Sequence, residues 1–92
     1  MPQRVKDNPK LNRYEMPVDG DTAFASYRRI GDVLVVFYSE VPRPMSGRGL
    51  GTALVKGMLD DVRTRGLKVE PSCSFVAAFF REHAEYRDLL QN

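Results

Sequence analysis

The stretch that decides the fold runs from Val33 to Thr52 and reads VLVVFYSEVPRPMSGRGLGT. It opens with a nearly continuous run of apolar strand-forming residues, which predicts a central strand over Val33–Val41 that is covered on both faces. Pro42 and Pro44 end this strand because neither residue can donate a hydrogen bond to a sheet. The glycine-rich turn Ser46–Thr52 follows. The stretch therefore predicts a strand, a glycine-rich turn and the start of a helix in immediate succession.

Downstream of the turn, apolar residues recur at helical spacing and predict a helix over residues 48–65. Gly66 is suited to close this helix in the left-handed conformation. Leu67–Glu70 is expected to form a short strand. Ser74–Glu82 carries apolar residues at helical spacing, and a final short helix is expected around Tyr86.

Upstream of the central strand, the sequence predicts two more strands. Leu11–Met16 carries a weak strand signal, and Thr22–Ile30 alternates in the manner of a half-buried strand. Gly31 and Asp32 supply a tight turn into the central strand. Residues 1–9 are polar and contain two prolines, so we expect a flexible N-terminal tail followed by one domain over residues 10–92. The fold class is α/β (mixed α+β): three antiparallel strands, then a β-α-β unit and a C-terminal helix.

The composition bounds the class of protein. The 92 residues suffice for one domain, and 42% apolar with 28% charged residues is ordinary for a globular domain. The single cysteine, Cys73, rules out an intramolecular disulfide framework and a zinc site built on paired cysteines. The polar opening and the absence of a long apolar run lead us to expect a cytoplasmic protein without a membrane partner. The 14 Lys and Arg residues are interspersed with 12 Asp and Glu residues, so no nucleic-acid partner is expected.

The turn has the chemistry of a phosphate site. Free backbone N–H groups at a helix start bind anions, and glycines let a phosphate approach them. Arg48 adds a charged donor. The loop lacks the Lys-Ser/Thr pair of a Walker A motif, and its spacing G-x-G-x-G differs from the dinucleotide pattern G-x-G-x-x-G. The alternative is a simple helix start capped by Ser46, in which the glycines serve only the turn.

Two segments carry a family resemblance. The strand ending Ser39-Glu40-Val41-Pro42, followed by SGRGLGTALV, resembles motif A of the GNAT acetyltransferase superfamily. The continuation PSCSFVAAFFREHAEY is similar to a minimal single-domain branch of acetyltransferase-like proteins.

The resemblance implies a minimal GNAT fold that binds acetyl-CoA as cofactor, with the pyrophosphate on the amides of the turn. It implies transfer of an acetyl group to an amine acceptor that the sequence does not identify. The oligomeric state stays open, with a monomer favoured. The implied cofactor-binding residues are Val41, Ser46, Gly47, Arg48, Gly49, Leu50, Gly51, Thr52 and Cys73.

Two residues are candidates for chemistry. Glu40 lies at the end of the central strand and is the best-placed general base, although it could equally be an exposed strand-end carboxylate. Cys73 is expected at the start of the second helix, where the thiol pKa falls. It could accept the acetyl group, line the pocket, or be a small buried hydrophobe.

The remaining polar and aromatic residues have simpler expectations. His83 is expected to cap the end of the second helix, too far from Cys73 for a dyad. Tyr86 is expected in the core, as are Phe75, Phe79 and Phe80, with one of these phenylalanines free to touch the pantetheine arm. The sequence thus predicts an acetyl-CoA-dependent N-acyltransferase, and the alternative is a CoA-binding module without efficient catalysis.

Overall fold

The computed structural model describes residues 4–42 and 49–91. The described part of the chain forms five strands, two α-helices and a 3-10 helix. In chain order these are β1 (Lys6–Asn8), β2 (Arg13–Val18), β3 (Asp21–Ile30), β4 (Val33–Glu40), α1 (Leu50–Thr64), β5 (Lys68–Pro71), α2 (Ser74–Glu82) and the 3-10 helix Ala84–Leu89. No helix within residues 4–42 and 49–91 is long and apolar enough to cross a membrane.

The strands form one sheet in which sequence order is also spatial order, from β1 to β5. The first four strands pair antiparallel. β4 and β5 pair in parallel, with Val33 opposite Lys68 and Val36 opposite Pro71. The predicted α/β fold, with antiparallel strands leading into a β-α-β unit and a helix, is confirmed.

The N-terminal segment departs from the sequence expectation. Lys6–Asn8 were expected in a flexible tail but form β1, which pairs with residues 13–15 of β2. Val5 packs against the core beside α1, where a Cβ built on Gly57 would come within 2.4 Å of its Cγ2 atom. Gly57 allows this close approach of Val5. A short edge strand therefore forms where the polar sequence predicted a flexible tail.

The core lies on one face of the sheet. Buried strand residues on this face include Tyr14, Ala25 and Leu34, and they pack in one cluster with the helices. The expectation that the central strand is covered on both faces is wrong, because Phe37 and Tyr38 remain 48% and 47% exposed. The apolar run of β4 therefore does not indicate a covering layer on the second face of the sheet, since none is present among the described residues.

Helix α1 spans the core face and is the longest helix of the described residues. Its buried stripe repeats at three- and four-residue spacing, as the periodicity predicted. Gly66 closes it with a φ of 70°, and the amide of Leu67 bonds the carbonyl of Val62. This backbone reversal brings the chain directly into β5, which places the start of α1 and the end of β5 at the same edge of the sheet.

A bulge in β4 opens the sheet at that edge. Val36 lies opposite Tyr27 and Tyr38 lies opposite Ser26, so Phe37 is one extra residue in β4. Pairing with β5 stops at Val36, whose carbonyl accepts hydrogen bonds from the amides of Ser72 and Cys73 at 2.9 and 3.0 Å. Beyond this point β4 continues without β5 beside it.

Candidate functional site

A cavity of about 500 Å³ occupies the edge where β4 and β5 part. It lies between the end of β4, the first turn of α1 and the first turn of α2. The described residues that line it are Ser39, Val41, Gly49, Gly51, Thr52, Leu54 and Phe75. Four of these seven, Val41, Gly49, Gly51 and Thr52, belong to the cofactor-binding set predicted from the sequence.

The first turn of α1 presents backbone amides that no helical carbonyl pairs with. The first helical hydrogen bond runs from the amide of Ala53 to the carbonyl of Gly49 at 3.0 Å. Helix geometry therefore leaves the amides of Leu50, Gly51 and Thr52 without an acceptor inside the helix. The first turn also contains no acidic side chain. An anion is the natural partner for such a helix start.

Gly49 is the N-cap of α1 and adopts the left-handed conformation, with φ 75° and ψ 10°. This backbone position favours glycine. The helix begins after Gly49, and no side chain of the described residues caps it, whereas the alternative of a cap by Ser46 falls on a residue outside the described ranges. Ser46, Gly47 and Arg48, which were predicted to bind the cofactor, lie outside the described residues.

Gly51 and Phe75 meet across the cavity wall. A Cβ atom on Gly51 would come within 2.8 Å of Phe75 Cζ, so only glycine fits without a shift of the ring. Phe75 was expected in the core, but it is 42% exposed and lines the cavity. Phe79 and Phe80 are buried as expected. An exposed aromatic ring and an apolar wall suit the uncharged part of an elongated ligand.

Cys73 lies at the start of α2 and is the N-cap residue of that helix. Its thiol is 3.4 Å from the hydroxyl of Ser39 on β4. Burial raises the pKa of the thiol, but hydrogen bonds from the Ser39 hydroxyl and from the amides of Val76 and Phe75 outweigh burial. The net pKa of Cys73 is lowered. The expected position and direction of the shift therefore agree with the structure, whereas the role of the thiol stays a prediction.

Glu40 lies on the other side of β4 from the cavity. It pairs with Phe24 on the uncovered face, whereas Ser39 pairs with the buried Ala25 on the core face. The hydroxyl of Tyr38 donates a hydrogen bond of 2.6 Å to Glu40 Oε1. Glu40 is the chain neighbour of two cavity residues but does not line the cavity itself. The structure therefore does not bring the Glu40 carboxylate into the cavity, and its role as a general base stays a prediction.

Two further expectations concern the far end of α2. The imidazole of His83 is stacked on the ring of Phe79 at 4.0 Å, and its Nδ1 donates to the carbonyl of Phe79 at 2.9 Å. His83 therefore caps the helix as predicted, at the opposite end from Cys73. Tyr86 is buried, and its hydroxyl donates to Asp60 at 2.8 Å. Both residues have structural roles away from the cavity.

Sequence reasoning missed Ser39, Leu54 and Phe75 as cavity residues. Ser39 comes to the core face only because the bulge adds one residue to β4, so simple alternation from Leu34 assigns it to the wrong face. Leu54 belongs to the buried stripe of α1 and gives no separate signal. The sequence signal nearest to Phe75 is Pro71, which indicates that a helix begins shortly after it and so places Phe75 in the first turn of α2.

Comparison with known proteins agrees with the fold. The family model described as GCN5-related N-acetyl-transferase matches residues 13–89 of the chain. The match covers all secondary-structure elements except β1. The chain belongs to the GCN5-related N-acetyltransferase family, and the resemblance inferred from the sequence is confirmed.

Individual relatives are distant but nearly full-length. Protein NATD1 of Bos taurus is 28% identical over 95 aligned residues, which cover 98% of this chain and 84% of the relative. Protein NATD1 of Mus musculus is 28% identical over the same length, covering 86% of the relative. The solution structure of a GCN5-like protein from Staphylococcus aureus superposes with a TM-score of 0.72 at 23% identity. That match covers 97% of this chain and 88% of the other. At this identity the structural match supports the fold alone.

Proposed function

We propose that the protein is an acetyl-CoA-dependent N-acyltransferase that transfers an acetyl group to an amine. The observation that carries the proposal is the cavity at the start of α1, into which Gly49, Gly51 and Thr52 face. Membership of the GCN5-related N-acetyltransferase family supports acyl transfer in general. The cofactor, the acceptor class and the site residues are our inference from the cavity.

The cavity fits the two chemical parts of such a cofactor. The amides of Leu50, Gly51 and Thr52 suit a pyrophosphate, because the positive end of the helix dipole adds to their hydrogen bonds. Glycine at position 51 keeps the wall open, since a Cβ there would meet Phe75. Val41, Leu54 and Phe75 supply an apolar surface for the pantetheine arm. We infer that Ser46, Gly47 and Arg48 complete the phosphate site, as the sequence motif implies.

The reaction needs a deprotonated amine next to the thioester, which supplies an activated acyl group. Glu40 is our candidate to accept the proton that an ammonium group must lose before its nitrogen can attack. The new bond joins this nitrogen to the acyl carbon, and the bond from that carbon to sulfur breaks. The nitrogen loses a second proton as the amide forms, and the leaving sulfur gains one, so an ammonium acceptor yields the amide, the thiol and one proton that Glu40 passes to solvent.

Cys73 has two possible roles in this scheme. Its lowered pKa and its position beside Ser39 would suit a thiolate nucleophile that carries the acetyl group transiently. The same position would also let it line the pocket around the cofactor sulfur while the amine attacks directly. We propose direct transfer, because the amine needs no covalent intermediate when both substrates occupy one open site. A monomer in a reducing, cytoplasmic environment is consistent with the single cysteine.

The proposal is tested by two measurements on the same preparation. Titration with CoA, acetyl-CoA, NAD and ATP, followed by thermal shift, should raise the melting temperature for the first two only. Release of free thiol from acetyl-CoA should then depend on an added amine. Saturable CoA binding without amine-dependent turnover would favour the alternative of a binding module, and selective stabilisation by NAD or ATP would refute the proposal.

A further inference from the structure

The uncovered face of the sheet holds an aromatic ring between two carboxylates. Glu15 lies directly opposite Phe24 on one neighbouring strand, and Glu40 lies directly opposite it on the other. Side chains in such cross-strand pairs have Cβ atoms about 4.5–5.5 Å apart, so both carboxylates come within reach of the Phe24 ring. The ring of Tyr38 lies 5.9 Å from that of Phe24, tilted by 47°. Aromatic faces and carboxylates together attract cations.

The Glu15 side of this arrangement already holds a cation. The guanidinium of Arg13 lies over the Phe24 ring with its central carbon 4.4 Å from the ring centroid. Its Nε is 2.6 Å from Glu15 Oε2, and Asn8 donates to the same oxygen at 3.2 Å. Arg13 and Glu15 are about one quarter exposed, so their ion pair is partly shielded from water. The structure thus shows directly that the Phe24 ring binds a positive charge.

The Glu40 side has the same components without the cation. Glu40 accepts a hydrogen bond from the neutral hydroxyl of Tyr38 at 2.6 Å. Within residues 4–42 and 49–91, no Lys or Arg forms an ion pair with Glu40. Tyr38 is about half exposed, so its ring is open to a ligand. Charge complementarity therefore points to a cationic ligand at this position.

We propose that Phe24 and Tyr38 bind the alkylammonium group of the acyl acceptor beside Glu40, and that Arg13 lowers acceptor affinity by occupying the same ring. The inference rests on the proposed function for the role of the ligand, but the binding surface is independent of it. Glu40 adjoins the cavity residues Ser39 and Val41 along β4 but lies on the opposite face of that strand, so an ammonium held there reaches the inferred thioester position through the end of the sheet where β5 no longer pairs with β4. The ammonium can belong to a free diamine or to a lysine side chain.

The binding surface is tested first without any reaction. The probe is (4-hydroxybutyl)trimethylammonium, whose nitrogen cannot be acetylated, and its neutral isostere is 5,5-dimethylhexan-1-ol, in which carbon replaces the charged nitrogen. Each is titrated into the CoA-saturated protein while the aromatic proton signals of Phe24 and Tyr38 are followed by NMR. Phe24→Leu removes the ring at similar volume, and Arg13→Gln removes the resident cation. Arg28→Gln is the matched control, since it removes a cation from β3, the strand that carries Phe24, at a position four residues away from that ring.

The proposal expects saturable binding of the ammonium and not of the neutral compound. Phe24→Leu should weaken ammonium binding by about two- to fivefold, which is the value of one exposed cation–π contact. Arg13→Gln should tighten binding by a similar factor, and Arg28→Gln should leave it unchanged. Equal binding of charged and neutral compounds, absence of saturable binding, or identical affinities in wild type and folded Phe24→Leu would each overturn it.

A kinetic measurement separates this inference from the proposed function. With acetyl-CoA saturating, Phe24→Leu should raise KM for an amine while kcat and CoA affinity stay near wild type. The acceptors are 1,4-diaminobutane and a short peptide with one lysine, which distinguish a small amine from a protein side chain. If neither is acetylated while ammonium binding behaves as expected, the proposed function fails and the surface stands. If turnover occurs and Phe24→Leu leaves KM unchanged for both acceptors, the surface proposal fails and the function stands.

Discussion

The two ends of helix α1 face opposite demands. The N-terminal end opens on the cavity, begins with a left-handed glycine, and has no capping side chain among the described residues. The C-terminal end is closed by hydrogen bonds from three other segments of the chain. The difference separates the part of the helix where we propose that a ligand binds from the part that holds the domain together.

The closed end depends on a polar cluster of five side chains, Asp7, Tyr14, Tyr27, Asp61 and Arg65. The hydroxyl of Tyr14 donates to Asp61 and that of Tyr27 donates to Asp7, both at 2.6 Å. Arg65 contacts both carboxylates, at 3.0 and 3.3 Å. Burial, followed by the hydrogen bond to Asp7, raises the pKa of Tyr27 to about 12. Both phenols therefore remain donors at any physiological pH.

Among the described residues, the N-terminal end of α1 has no comparable cluster of hydrogen-bonded side chains. The amides of Leu50, Gly51 and Thr52 have no acceptor inside the helix, and the glycines of this turn contribute no side-chain packing. Glycine inside a helix costs about 0.5–1 kcal/mol relative to alanine. Because the polar cluster and the buried stripe of α1 stabilise the rest of the helix, the first turn can carry this cost. We therefore expect substitutions in the first turn to weaken ligand binding with little effect on stability. Substitutions in the packed part of α1 should lower stability with little effect on ligand binding.

The largest expected effect is at Gly49. Gly49→Glu places a carboxylate beside the inferred pyrophosphate site, and we expect CoA affinity to fall by about a hundredfold through lost charge-assisted contacts and repulsion. The fold should persist despite the strain of a side chain at φ 75°, because no atom of residues 4–42 and 49–91 lies within 4 Å of a Cβ at this position and a carboxylate is favourable at a helix N-terminus. Isothermal titration with CoA and thermal unfolding measure the two quantities.

The matched control is Gly49→Asn. Asparagine carries no charge and tolerates the left-handed conformation, so it adds a side chain at low backbone strain without repelling phosphate. CoA affinity should lie between those of wild type and Gly49→Glu. A folded Gly49→Glu variant with unchanged CoA affinity would show that the phosphates bind elsewhere.

An intermediate effect is expected when alanine replaces glycine at two positions of α1. Gly57→Ala brings a Cβ within 2.4 Å of Val5, so β1 must shift, and we expect a loss of about 1–3 kcal/mol in unfolding free energy. Gly51→Ala meets only the exposed ring of Phe75 at 2.8 Å. There we expect stability to be kept or slightly improved, while CoA binds more weakly.

Chemical denaturation and CoA titration of both variants complete a two-by-two comparison. Gly57→Ala should change stability and leave CoA affinity near wild type once the protein is folded. Val5→Ala in the Gly57→Ala background removes the contact and should recover part of the lost stability. If Gly51→Ala and Gly57→Ala lose stability equally, the contrast between the first turn of α1 and the packed remainder of the helix is wrong.

Much of this contrast was visible in the sequence, because it follows from local patterns. The apolar period of α1, the closing glycine at position 66 and the glycines of the first turn all act within one helix. The family motif further predicted a phosphate site at this turn. Cys73 at a helix start follows from the proline at position 71 and the helical period after it, and its expected pKa direction agrees with the structure.

The features that the sequence did not predict depend on contacts between distant segments. β1 is held by Val5 against Gly57 and by Asp7 to Tyr27 and Arg65, and none of these partners is near it in sequence. The bulge at Phe37 shifts the faces of the last β4 residues without a local signal. Phe75 follows a helical apolar pattern and yet lies at the cavity, since the periodicity of α2 does not show where its first turn leaves the core.

The smallest expected effect concerns the thiol of Cys73 at the start of α2. Its pKa is lowered in the folded protein, so the thiolate forms at a lower pH than in an ordinary cysteine. Alkylation by iodoacetamide should therefore rise with pH around a midpoint below the usual thiol range. Ser39→Ala removes the side-chain hydrogen bond that lowers this pKa and should move the midpoint to higher pH. CoA should protect Cys73 in both proteins if the thiol adjoins the cofactor.

Whether this reactive thiol takes part in transfer is decided by Cys73→Ala and by mass spectrometry. For direct transfer we expect kcat of Cys73→Ala to stay within about threefold of wild type, whereas loss of a covalent nucleophile costs several orders of magnitude. Incubation with acetyl-CoA and no amine can slowly acetylate any nearby thiolate, so an adduct alone decides nothing. The adduct must form, and discharge to an amine, at least as fast as steady-state turnover. A kinetically competent acetyl group on Cys73, together with an inactive Cys73→Ala variant that still binds CoA, would establish the covalent route and overturn direct transfer.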